Sequence, residues 1–205
     1  INSLYYDISR QRRLDILGTG VADLENHIIR TPDDPVATFD DDPIRILRTI
    51  RFATRYGWKI APNVEAAMKA AAAKLSEVRK ERLQAEVLKM LTGPHPADAL
   101  RLMRRVLAIQ AVFPELAATF RLKQNRYHFG TVWEHTLAVV GAVGPDPVLR
   151  MAALLHDIGK IASKKKGKDG AIHFFGHERR CKPIINTMLR RLHLSLIHIS
   201  EPTRH

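Results

Sequence analysis

The chain of 205 residues is long enough for one large domain or two small ones. Its 33 Lys and Arg against 21 Asp and Glu give a formal charge of +12, which points to a polyanionic partner, nucleic acid first, with an ordinary basic surface as the plain alternative. No apolar run approaches the roughly 18 residues of a membrane span, INSLYYDISRQRR at the start lacks the pattern of a signal peptide, and the one cysteine, Cys181, excludes an internal disulfide framework and fits a reducing cytoplasm.

Residues 1–7 (INSLYYD) read as a short strand. Gly18 and Gly20 mark a turn after Ile16-Leu17, and residues 21–31 read as a short helical turn followed by an extended piece. Residues 32–40, rich in proline and aspartate, are expected to form a loop. A helix is expected from Asp42, with Asp42 as its cap, Pro43 in the first position, apolar residues at Ile44, Leu47, Ile50 and Phe52, and Gly57 at its end. Residues 63–75 are strong helix formers, and residues 77–91 and 97–109 repeat the amphipathic pattern around Gly93-Pro94 and Pro96. Two further helices are expected over 131–143 and 147–161, divided at Gly144-Pro145. Lys164, Lys165, Lys166 and Lys168 fall in a solvated loop, and 177–193 reads as a last helix disturbed near Pro183. Beyond residue 40 the chain is nearly all helix, with no internal repeat.

The sharpest constellation is DDPIRILRTIRF, residues 41–52. Arg45, Arg48 and Arg51 are three apart and lie along one side of a helix, with the Asp42 carboxylate at its start, where it can accept backbone hydrogen bonds. Guanidinium forks suit phosphate oxygens, and an Asp–Arg pair can match the donors and acceptors of a nucleobase edge. The spacing by itself equally suits an amphipathic helix with a solvated basic side.

This stretch resembles the segment of class II tRNA nucleotidyltransferases in which an acidic pair, two residues and an arginine read the incoming base, although Asp41 stands where the family usually has Glu. The resemblance implies that Asp42 and Arg45 pair with the edge of CTP or ATP and that Arg48 and Arg51 complete the nucleotide site. It extends outward. INSLYYD is similar to the end of the family's Arg-Arg-Asp stretch, with Asn2 and Asp7 at matching places, and LDILGTGVADLENHIIRTP to the segment closing the nucleotidyltransferase head. LSEVRKERLQAEVLKML, with Glu81-Arg82 at the recurring Glu-Arg, and VFPEL resemble the neck and body helices. The implied partners are tRNA, CTP and ATP, and no membrane. The implied cofactor is Mg2+, held in the head by an Asp-x-Asp pair expected before Ile1, so the chain alone is expected to be inactive. Arg101, Arg104 and Arg105 are candidate RNA backbone contacts, and singly each also fits a solvated helix face.

A second constellation is His135 in TVWEHTLAVV, His156-Asp157 in AALLHDIGKI and His177 in FFGHE. Imidazole and carboxylate suit divalent metals, and metal-activated water can attack a phosphoester. The run resembles the metal-binding core of an HD domain, an all-helical fold with phosphohydrolase members. That resemblance implies a divalent-metal site from His135, His156, Asp157 and His177, incomplete because the family's final Asp is not found. His27, His95, His128, His173 and His193 read as ordinary core or surface residues.

The fold expected is mainly α. A remnant of the nucleotidyltransferase α/β head (1–31) precedes a base-reading neck helix (32–60), a helical RNA-binding neck and body (61–120) and a truncated all-α HD domain (121–194). The tail SLIHISEPTRH (195–205) resembles a translated sequencing-adapter read-through, so His198 and His205 enter no functional argument. The function expected is that of a cytoplasmic CCA-adding tRNA nucleotidyltransferase in the intact protein. Poly(A) polymerase, A-adding and CC-adding enzymes share these motifs, and an HD phosphohydrolase or a non-catalytic RNA-binding module remain alternatives.

Overall fold

The computed structural model describes residues 4–15, 18–124, 130–166 and 172–194. Asn2, Ile16-Leu17, His128, Lys168 and the tail 195–205 lie outside them. Strands β1 (Leu4–Asp7) and β2 (Arg12–Asp15) form an antiparallel hairpin. Its turn is closed by the Asp7 carboxylate, which accepts from the Ser9 and Arg10 amides at 3.0 and 3.1 Å. Asp15 then accepts from the Val21 amide at 2.9 Å, tying the hairpin to the start of α1 (Gly20–Glu25).

The short strand β3 (Ile28–Ile29) pairs in parallel with β4 (Lys59–Ile60), and the helices between them form the crossover. The first of these corrects the loop expected over 32–40: Pro35–Asp41 is helix α2. Its prolines and aspartates are start signals rather than loop signals. Asp34 accepts from the Ala37 amide at 2.9 Å, Pro35 occupies the first turn, and Phe39 is fully buried. The second is α3 (Ile44–Tyr56), ended by Gly57 at φ 69°, where a left-handed residue caps the chain as expected. It buries Ile44, Ile46, Leu47, Ile50 and Ala53, whereas Phe52 falls on the flank of the apolar stripe.

Helix α4 (Pro62–Ala71), a 3-10 turn (Ala72–Glu77) and α5 (Lys80–Leu91) follow. The helix expected over 97–109 is two: α6 (Pro96–Arg105) stops before Leu107, which sits at φ 62°, and α7 (Ala108–Val112) restarts in a new direction. After α8 (Pro114–Ala117) comes α9 (Val132–Ala142), started by a reciprocal cap between Thr131 and Glu134. The helix expected over 147–161 is likewise divided, into α10 (Pro147–Leu155) and α11 (Lys160–Ser163), with a turn at 156–159. The hairpin β5 (Lys165–Lys166) and β6 (Ile172–His173) leads to α12 (His177–Arg191), which carries Pro183 within it.

One continuous apolar cluster runs from Phe39 and Ile50 through Leu75, Leu100 and Val112 to Trp133, Leu154 and Met188. A buried arginine fastens its middle. Arg150 is 6% exposed, and its guanidinium donates to the carbonyls of Val143 and Gly144 at 2.8 Å and of Leu91 at 2.9 Å. It thereby satisfies carbonyls at the ends of α5 and α9 that would otherwise be orphaned. Arg150→Ala is expected to cost about 2–4 kcal/mol, because it strips three charge-assisted bonds from buried acceptors. Urea denaturation measures this, and a loss under about 0.5 kcal/mol would show that water serves those carbonyls equally well.

Candidate functional site

Helix α3 lays its apolar stripe on the core, which turns Arg45, Arg48 and Arg51 toward the surface and toward α5. The four residues expected to read a nucleotide fall into two linked groups. At the helix start, Arg45 Nη2 lies 3.1 Å from Asp41 and its Nε 4.0 Å from Asp42, while Arg82 Nη2 of α5 donates to Asp42 Oδ2 at 2.8 Å. One turn on, Arg51 Nε donates to Glu86 Oε2 at 2.8 Å, and Arg48 Nε approaches Oε1 at 3.6 Å. Lys89 adds a third cation at 3.6 Å from Glu86 Oε1. The third aspartate of the run, Asp40, binds Lys74 at 2.8 Å.

Asp42 does not cap α3 as expected. Pro43 takes the cap position without a side-chain bond, and the Arg45 amide is met at 3.0 Å by the Asp42 backbone carbonyl. The reason is local: Asp42 also ends α2, in an extended conformation (φ −144°, ψ 91°). Its carboxylate then reaches across to Arg82. Arg45 and Arg48 are 44% and 47% exposed at the side chain, against 17% for Arg51, so the first two face solvent and the third is an internal strut.

Glu86 and Arg82 are the residues sequence reasoning missed as parts of this face. Glu86 is 4% exposed, yet it sits in a run that reads as an ordinary amphipathic helix. The available signal is their spacing: Arg82 and Glu86 are four apart, so α5 presents both to one neighbour.

The second cluster gathers all four expected residues. His135 comes from α9, His156-Asp157 from the turn after α10, and His177 from the start of α12. His156 Nε2 lies 3.3 Å from His135 Nε2 and 3.2 Å from Asp157 Oδ2, and His135 Nε2 lies 3.6 Å from that oxygen. His177 Nε2 is 3.6 Å from Asp157 Oδ1. His156 Nδ1 contacts the Ala153 carbonyl at 2.8 Å, which leaves Nε2 to face the cluster.

The turn survives because α12 packs directly on it. The Gly159 amide donates to Cys181 Sγ at 3.2 Å, and Cys181 donates to the His156 carbonyl at 3.2 Å. A Cβ on Gly159 would collide with the His177 carbonyl and lie 2.8 Å from the Cys181 sulfur, so only glycine fits. The expectation missed Lys160, whose buried ammonium donates to Asp157 Oδ2 at 2.7 Å and to Gln124 Oε1 at 2.8 Å. Its signal was the lysine three residues after the aspartate. The hydrogen bond to Asp157 raises the His156 pKa, with burial opposing. Burial pushes the Asp157 carboxyl up, but bonds from His156 and Lys160 overcome it and hold the group well below the usual carboxylate range.

Among the described residues, the other histidines have these contacts. His27 stacks on Trp58, His173 stacks on Phe175, His193 meets Glu81 at 2.9 Å, and His95 lines a surface cleft. Of the arginines on α6, Arg101 binds Asp98 at 2.7 Å, Arg105 binds Glu65 at 2.8 Å, and Arg104 lies 4.4 Å over the Phe120 ring.

Residues 57–120 match the family described as the probable RNA and SrmB-binding site of polymerase A. A multifunctional CCA protein of Nitrosococcus oceani is 32% identical over 87% of this chain and 44% of its own length. Over most of its length the chain is thus similar to tRNA nucleotidyltransferases of the CCA type. The mitochondrial CCA tRNA nucleotidyltransferase of Saccharomyces cerevisiae is 38% identical over 55% of this chain and 21% of its own. The chain thus spans less than half the length of these curated relatives. The Bacillus stearothermophilus CCA-adding enzyme in complex with CTP shares the fold over 99% of this chain and 45% of that one, with a TM-score of 0.52 at 20% identity. This family fold is mainly helical, as expected from the sequence. Among the described residues no helix is long and apolar enough to cross a membrane.

The buried carboxylate makes the arginine face testable as a unit. Glu86→Ala is expected to cost about 3 kcal/mol, since it leaves Arg51 without its partner in a largely dry setting. A double-mutant cycle with Arg51→Ala should return a coupling of about 1–3 kcal/mol. Additive losses in chemical denaturation would mean that the two side chains act independently.

Proposed function

We propose that this chain is the base-reading and RNA-holding part of a CCA-adding tRNA nucleotidyltransferase, which transfers CMP and AMP from CTP and ATP to the tRNA 3′ end. One observation carries the reading: a carboxylate acceptor and a guanidinium donor, Asp42 and Arg45, stand side by side at the open start of a helix whose next exposed residue on that face is Arg48. Asp42 and Arg45 meet the base edge through complementary hydrogen bonds, and Arg48 approaches the phosphates. Arg51 sets the position of this face through Glu86 and does not itself reach solvent freely. Catalysis is then mostly positioning of the nucleotide against the RNA 3′-hydroxyl. Carboxylates in the head of the intact enzyme would hold Mg2+, which would stabilise charge developing at the α-phosphate.

In the intact enzyme, Arg45→Ala is expected to lower kcat/KM for CTP and ATP by about 10- to 100-fold and to weaken discrimination against GTP and UTP. The readout is incorporation of each labelled nucleotide into tRNA that lacks its CCA end. Unchanged selectivity would sink the assignment, and a long adenylate tail in place of CCA would identify a poly(A) polymerase instead.

A second reading concerns the histidine cluster, supported by ligand atoms of His135, His156 and Asp157 that all lie within 4.8 Å of one another. Metal–ligand bonds of about 2.0–2.2 Å separate neighbouring ligand atoms by about 3.0–3.5 Å, so the donor set fits a divalent ion with modest adjustment. Such an ion would supply an activated water for phosphoester hydrolysis. His177 orients Asp157 or completes the ligand set, and Lys160 offsets part of the carboxylate charge that the ion would use. Titration calorimetry with Mn2+ or Zn2+ should show one site in this chain that Asp157→Ala removes. Heats identical to wild type in the Asp157→Ala variant would dismiss the site.

A further inference from the structure

Next to the arginine face, an aromatic strip lies on the surface at the end of α3. His27 stacks on Trp58 with ring centroids 5.4 Å apart at 24°, Trp58 meets Tyr56 at 5.7 Å, and Tyr56 lies parallel to Phe52 at 6.1 Å and 7°. None of these four rings belongs to the apolar core. Tyr56 is 52% exposed, His27 is exposed, and Trp58 and Phe52 are half-buried. His27 is held there at φ 55° by backbone bonds, its amide donating to Leu24 and its carbonyl accepting from Lys59.

Cations border the strip along its length. The Arg51 guanidinium lies 4.4 Å from the Phe52 ring centre and that of Arg55 lies 5.9 Å from the Tyr56 ring centre. Trp58 also lines a surface cleft with His95, Arg101 and Arg105. Arg101 and Arg105 each hold an ion pair there, with Asp98 at 2.7 Å and Glu65 at 2.8 Å, and exposed pairs of this kind are weak enough for a phosphate to compete with them. The strip therefore begins at the arginine face of α3 and ends in a cleft lined by Arg101 and Arg105, within a chain of charge +12.

We propose that the His27–Trp58–Tyr56–Phe52 strip is a stacking platform for unpaired bases of an RNA strand, whose phosphates lie against Arg55, Arg101 and Arg105. Every base has a face that can stack on an exposed ring, and flanking guanidinium groups supply the sequence-independent attraction to the backbone. Base-paired RNA keeps its faces inside the helix, so the platform selects single-stranded ends. This inference rests on RNA being the partner of the chain. It adds a distinct surface, separate from the base-reading pair at Asp42 and Arg45, that holds the strand rather than the incoming nucleotide.

The test compares an RNA hairpin bearing a four-nucleotide 3′ overhang with 2-aminopurine in it against the same hairpin with a blunt end, using the full 205-residue chain. Wild type is expected to bind the overhang form at least about five-fold more tightly and to quench the 2-aminopurine. Tyr56→Ala should erase that preference and the quench while leaving blunt-hairpin affinity unchanged, and Tyr56→Phe should restore both. Should Tyr56→Ala lose its helical circular dichroism, His27→Ala, at another exposed ring, carries the same comparison. Full preference and quench in a folded alanine variant overturn the platform and leave the RNA reading standing. Failure of wild type to bind either hairpin overturns both together.

Discussion

Glu86 is the fixed point of the arginine face. A carboxylate with 4% exposure is costly to bury unless cations meet it, and here Arg51 meets it at 2.8 Å while Arg48 and Lys89 stand at 3.6 Å. The pairing locks α3 to α5 in one rotation. Any other rotation would leave Glu86 or Arg51 dry and unpaired. That single setting leaves Arg45 and Arg48 open to solvent and brings Asp42 within reach of Arg82. The face is thus fixed at its base, where Arg51 meets Glu86, and open at its start, where Arg45 is exposed.

The same logic, with different atoms, shapes the histidine cluster. Its ligand atoms come from three separate elements, and α12 reaches them only because Gly159 lacks a side chain and Cys181 bonds both sides of the turn. Lys160 then occupies one oxygen of Asp157 from below, buried beside Gln124. A hydrogen-bonded network links the cluster, and the Asp157 carboxyl is held below its usual range because bonds from His156 and Lys160 outweigh its burial. Arg150 plays a parallel structural part between α5, α9 and α10, where one guanidinium ends two helices at once.

Much of the positive charge is spent internally. Arg51, Arg82, Arg105, Arg150 and Lys160 each have a defined partner in the fold. On α3, Arg45, Arg48 and Arg55 stay exposed beside the internal strut Arg51, so one helix carries both kinds of arginine.

Local patterns were legible in the sequence wherever one element sufficed to define them. The period of Ile44, Leu47 and Ile50 set the buried side of α3 and hence the outward turn of Arg45 and Arg48, and Gly57 ended the helix because only a left-handed residue could. The His-Asp-Ile-Gly-Lys run marked the second cluster because it resembles the metal-binding core of an HD domain. What depended on distant partners was not legible. Residues 32–40 looked like a loop because Pro and Asp signal both turns and helix starts, and only burial of Phe39 decides between them. Asp42 looked like the cap of α3 until α2 formed ahead of it and left it as that helix's extended last residue, its carboxylate then free to reach Arg82. Glu86 looked solvated until α3 covered it, and the helix over 147–161 looked unbroken until α12 packed against Gly159. Sequence by itself determined which residue types share a helix face, because helical period is a local property. Tertiary structure alone decided which charges are paired and which are free, because that depends on what stands opposite.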